Sequence, residues 1–93
     1  MKHYVGDPTR VRLQIGLDIS AAVTQAICGI RPDGSTFIWQ AAVVGTDEVV
    51  FDNPASRWSM PGTWRLWAEV TLPDRDAPYT GEAVIITIYR PGA

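Results

Sequence analysis

One cysteine, one histidine and one lysine serve a chain of 93 residues, and each scarcity removes a class of protein. Cys28 alone builds no intrachain disulfide framework and no cysteine-based metal centre, which leaves packing as the evident source of stability. His3 sits at a terminus expected to fray, so serine, threonine and cysteine nucleophiles lack an imidazole base. Apart from Lys2 the basic residues are arginines; against ten acidic residues they leave a formal net charge of −2. Neither sign gathers into a block, and the basic footprint of a nucleic-acid binder is missing. No apolar run has the length of a signal peptide or of a membrane span. The expectation is a chain made in the cytoplasm that engages neither nucleic acid nor membrane. A glycine-rich phosphate loop is lacking too, since Gly45-Thr46-Asp47 and Pro61-Gly62-Thr63 read as turns.

What is present points to β-structure. Short runs rich in Val, Ile, Thr and aromatics are punctuated by Gly, Pro, Asp and Asn, and no window suits a long helix. With 46% hydrophobic residues and four tryptophans the chain is too apolar for a disordered tail. A chain of this length folds as one domain, 1–93, that buries about two-thirds of its unfolded surface. Strands are expected over 9–15, 23–31, 35–44, 48–51, 63–72 and 79–89. Pro32-Asp33-Gly34 turns the second into the third, because Pro presets φ and Gly accepts a positive one. Asp52-Asn53-Pro54 should end the fourth strand, since Pro has no N–H for a ladder. The stretch 54–62 reads as an irregular crossing between sheets with room for one helical turn, and the loop 73–78 as an exposed mobile tip. Pairing consecutive strands as hairpins gives a six- to seven-stranded antiparallel immunoglobulin-like β-sandwich.

Two strands carry the functional signal. Over 63–72, Trp64, Leu66, Ala68, Val70 and Leu72 share one parity, and Arg65, Trp67, Glu69 and Thr71 share the other. Trp64 is then core, whereas Trp67 stands on the face that should meet water. In the last strand both parities are apolar, so some of those groups face outward. Placing the two strands side by side sets Trp67 beside Ile85 or Tyr89, rimmed by Arg65 and Glu69, in the manner of a subunit contact. Two other readings compete: a loop carrying Trp58 covers Trp67, or an exposed Trp67 or Trp58 serves as a stacking surface for a carbohydrate or a receptor.

The carboxylates carry less. Asp47-Glu48 and the group Asp74, Asp76 and Glu82 lie in or near turns, where such residues are solvated caps, and no calcium-binding loop pattern surrounds them. No metal and no cofactor is expected, and the chain does not read as an enzyme. Cys28 reads as a small buried hydrophobe. The mixed parity of its strand leaves its orientation open.

Taken in order, Tyr4-Val5-Gly6-Asp7, Arg31-Pro32-Asp33-Gly34, Pro61-Gly62-Thr63-Trp64 with Leu66, Ala68 and Val70, and Tyr79-x-Gly81-Glu82 with Tyr89 resemble a family of small tailed-phage proteins. They also resemble the related N-terminal domains of phage baseplate upper proteins, without the long C-terminal extension of the latter. The resemblance spans nearly the whole chain. It implies a virion component of a bacteriophage or prophage, in head, neck, tail or baseplate. Such a protein is present in many copies as a homo-oligomer and works by binding other virion proteins. It implies no catalytic residue.

Overall fold

Inward-facing residues recur with a period of two over Thr9, Val11 and Leu13 and over Trp64, Leu66, Ala68 and Val70, which makes two strands with one dry face each, and these two strands lie in different sheets. A computed structural model describes residues 2–73 and 77–92 of the chain. These residues form an all-β fold without helix. The strands are β1 (His3–Tyr4), β2 (Pro8–Gln14), β3 (Thr24–Ile30), β4 (Thr36–Gln40), β5 (Ala42–Val44), β6 (Glu48–Arg57), β7 (Gly62–Thr71), β8 (Tyr79–Thr80) and β9 (Val84–Tyr89). The larger sheet has the order β1-β9-β7-β3-β4, with β8 also paired to β7; the smaller has the order β2-β6-β5.

Both sheets close over one core. Val11, Leu13 and Val49 from the small sheet meet Ile27, Phe37, Leu66, Val70 and Ile88 from the large one. An aromatic stack fills one part of this space. Trp39 lies parallel to Phe51 at 4.7 Å, Trp58 meets Trp64 edge-on at 5.0 Å, and Phe37 packs on both Trp39 and Trp64. Trp58 and Trp64 are each 1% exposed. Burial of the Trp64 indole N–H is made tolerable by its hydrogen bond to the Met60 carbonyl at 3.1 Å.

The pairing departs from consecutive hairpins in several places. β2 pairs with β6, not with β3, and β1 runs parallel to β9, so the large sheet is mixed where an antiparallel one was expected. The expected strand over 35–44 divides at Ala41 into β4 and β5, which belong to different sheets. Gln25 pins that corner, because its backbone carbonyl accepts from Ala41 N–H and its side-chain amide donates to the Ala41 carbonyl. Asp52-Asn53-Pro54 does not end its strand. Register slips between Pro8 and Thr9, whose partners are Arg57 and Asn53, so 54–56 form an irregularity in which Pro54 needs no ladder partner. β6 therefore reaches Arg57, and no helical turn occurs between it and β7. The expected last strand is broken by 81–83 into β8 and β9. His3, expected at a fraying terminus, is instead half-buried in β1 opposite Ile88.

The Pro32-Asp33-Gly34 turn forms as expected, with Gly34 at φ 88° and Gly34 N–H donating to the Arg31 carbonyl. Asp33 takes hydrogen bonds from the Ser35 hydroxyl and the Ser35 N–H, which hold its carboxyl below the usual range. The turn returns β3 into β4, its antiparallel partner. On the outside of the small sheet Arg10 pairs with Asp52 at 3.2 Å and Arg12 with Glu48 at 3.3 Å. Exposed pairs of this kind contribute about 0–1 kcal/mol each, so they are minor beside the core.

Candidate functional site

Side chains on β7 alternate faces, so once Trp64, Leu66, Ala68 and Val70 turn inward, Arg65, Trp67 and Glu69 turn out from the large sheet. β9 is paired antiparallel to β7 with Arg65 opposite Ile85 and Trp64 opposite Ile86. Ile86 and Ile88 consequently face the core, and Ile85 faces outward, 62% exposed. Trp67 and Ile85 are thus diagonal neighbours on one outer face, with Arg65 directly opposite Ile85 and two residues before Trp67 on β7. Tyr89 shares that parity but lies four residues, about 13 Å, along β9 from Ile85. There it packs against Tyr4 of β1, and Lys2 sits 4.7 Å above its ring. Tyr89 therefore belongs to the N-terminal end of the face and not to the patch around Trp67.

β3 and β4 extend the patch in the other direction. Cys28 is opposite Trp67 on one side and opposite Ile38 on the other. Ile38 is 68% exposed, the most exposed large aliphatic on this sheet. A single row across three strands reads Ile38, Cys28, Trp67. It was not singled out from the sequence, although the parity of Phe37 and Trp39, both turned toward the core, carries the signal that Ile38 between them must point away. A hollow of about 210 Å3 opens here among Cys28, Thr36, Ile38, Trp67 and Glu69.

Trp58 does not cover Trp67. It is enclosed on the far side of β7 against Trp39 and Trp64, which also removes it as a stacking surface for a ligand. Trp67 remains half-buried, with its indole N–H directed to Glu69 Oε1 at 3.4 Å.

The orientation of Cys28 is now defined: it lies on the outer parity, yet only 6% exposed because neighbouring side chains wall it in. Burial, reinforced by the charge and hydrogen bonding of Glu69, pushes its thiol up from 9.0 to about 11. An unfolded chain releases this proton near pH 9, whereas the folded one holds it until about pH 11. The stabilising contribution is therefore complete below pH 9 and is lost as pH rises through 11. The expected outcome is a steeper alkaline loss of urea resistance in the native protein than in Cys28→Ala. Parallel alkaline profiles would show that the thiol is not held in this way.

Among the described residues no three His, Cys, Asp or Glu side chains gather to hold a metal ion. The calcium reading of Asp74 and Asp76, like the tip of the expected mobile loop, lies outside the described residues; Glu82 is exposed. A broader open groove of about 470 Å3 runs beside β5 among Ala42, Val44, Val50, Asp52 and Asn53. Comparison of the chain with protein-family models, with curated proteins and with solved structures gives no match.

Proposed function

We propose that this chain is a non-enzymatic structural component of a bacteriophage or prophage particle, built as an immunoglobulin-like sandwich and acting through protein–protein contacts of its outer face. The observation that carries the reading is the outward apolar group of Ile38, Trp67 and Ile85 on the large sheet, flanked by Arg65 and Glu69. Large apolar side chains on the wet face of a sheet cost solubility unless something covers them, and aromatics with arginine are favoured where proteins meet. The motif series from Tyr4-Val5-Gly6-Asp7 to Tyr89 supports placing those contacts in a virion, with other virion proteins and further copies of the chain as partners.

Mass spectrometry of purified particles tests the location: the chain should be present at a fixed ratio to the capsid protein. Its absence from particles that carry the gene would overturn the proposal. Trp67→Ala should leave the unfolding free energy of the isolated domain, measured in urea, within about 1 kcal/mol of the native protein, because the side chain is only partly buried. The same change should reduce incorporation into particles. If Trp67→Ala instead abolished binding to a glycan array while incorporation stayed normal, a carbohydrate-binding module would be the better reading.

A further inference from the structure

The outer face of the large sheet has a charge pattern that is its own complement. Along β7 the outward residues are Arg65, Trp67 and Glu69, so a positive and a negative group stand two residues either side of a tryptophan, about 7 Å from it in each direction. Among the described residues neither charge forms an ion pair within the chain; the salt bridges there are those of Arg10 and Arg12 on the other sheet. Across the strands, the row through Trp67 continues to Cys28 and Ile38.

From this geometry we infer that the face binds a second copy of the same chain, about a two-fold axis that lies in the interface along the row Ile38–Cys28–Trp67. A rotation about such an axis turns the second sheet over and reverses its strands. Residues on the axis then meet their own counterparts, Trp67 against Trp67 and Ile38 against Ile38. Residues off the axis exchange sides, so Arg65 of each copy faces Glu69 of the other, and both charge pairs are satisfied at once. Ile85, opposite Arg65 in the ladder, is carried over the region of Thr80, which is opposite Glu69. The isologous arrangement needs no other partner chemistry, because one face of the sheet supplies both halves of every contact. The inference rests on the proposed assembly role and specifies the partner at that face.

Sedimentation equilibrium of the native chain and its variants tests it. The native chain should form a dimer. Arg65→Glu and Glu69→Arg should each weaken it roughly 100-fold, since each sets like charges face to face at two places. An equimolar mixture of the two variants should recover native affinity. One chain of the mixed pair carries a carboxylate at both positions and the other a guanidinium at both, so each facing pair is again of opposite sign. Ile38→Glu places two carboxylates on the axis and should also abolish the dimer; Ile38 is exposed in the monomer, so this variant keeps its fold if either charge variant does not. A native chain that stays monomeric up to its solubility limit would overturn the inference. So would a dimer that survives Arg65→Glu and Ile38→Glu, or a mixture that fails to recover. The particle test is separate: a dimer absent from particles refutes the virion role alone, and a monomer found in particles refutes the two-fold contact alone.

Discussion

Trp64→Ala is expected to destabilise the domain by about 3–5 kcal/mol, enough to remove much of the stability a chain of this size possesses. Trp64 is 1% exposed and touches the rings of Phe37, Trp39 and Trp58, so its removal strips one wall from each of the other aromatics. The hole cannot close easily. β7 is held between β3 and β9, and the neighbouring rings are held by their own strands, so the backbone has little freedom to collapse inward. Loss of the indole also frees the Met60 carbonyl from its hydrogen bond. Urea unfolding followed by circular dichroism measures the effect, and Trp67→Ala on the opposite face of the same strand is the internal comparison. Equal large losses in both variants would show that Trp67 is core as well, and would remove the basis for an exposed contact face.

The second large effect is expected from a single methyl group. Gly29 lies in β3 with backbone geometry open to any residue, yet an added Cβ would collide with the Arg65 carbonyl oxygen and with the Phe37 ring. Neither neighbour can yield cheaply. The carbonyl belongs to the adjacent strand, and Phe37 is wedged against Trp39 and Trp64. Gly29→Ala should therefore cost at least about 3 kcal/mol, at the upper end of what overpacking does. Gly81→Ala serves as the control, because a Cβ there meets its nearest atom, the Ala68 carbonyl oxygen, at an ordinary 3.6 Å. It should change the melting temperature little. A Gly29→Ala protein that melts with the native one would mean that β3 and β7 are not packed as described.

These two positions differ in how visible they are before folding. Trp64 is announced by its strand, where strict alternation from Gly62 to Thr71 makes it one of four inward residues. Gly29 gives no such notice. Read along the chain it is one more glycine near a turn, and only the approach of Phe37 from β4 and of the β7 backbone explains why a larger residue is excluded. The contact face divides in the same way. Trp67, Arg65 and Glu69 follow from the alternation of one strand, whereas Ile38 and Cys28 join them only because β3 brings β4 into register with β7. Tyr89 has the right parity and is nonetheless set apart, because β1 adds in parallel beside it, a pairing that two residues cannot signal.

Read along the chain, the residues establish that it is β-structured, where the turns at Pro32-Asp33-Gly34 and Gly45-Thr46-Asp47 fall, and which side of β2 and β7 is dry. Those are local properties, written in side-chain alternation and in backbone preferences that act within a few residues. Folding in three dimensions settles which strands pair, that the chain changes sheets at Ala41, that Pro54 sits inside a strand, and that the outward residues of β4, β3 and β7 form one row. Such outcomes depend on contacts between segments distant in the chain. Strand partners are chosen by how well whole faces fill a shared core, and no short window of residues contains that information.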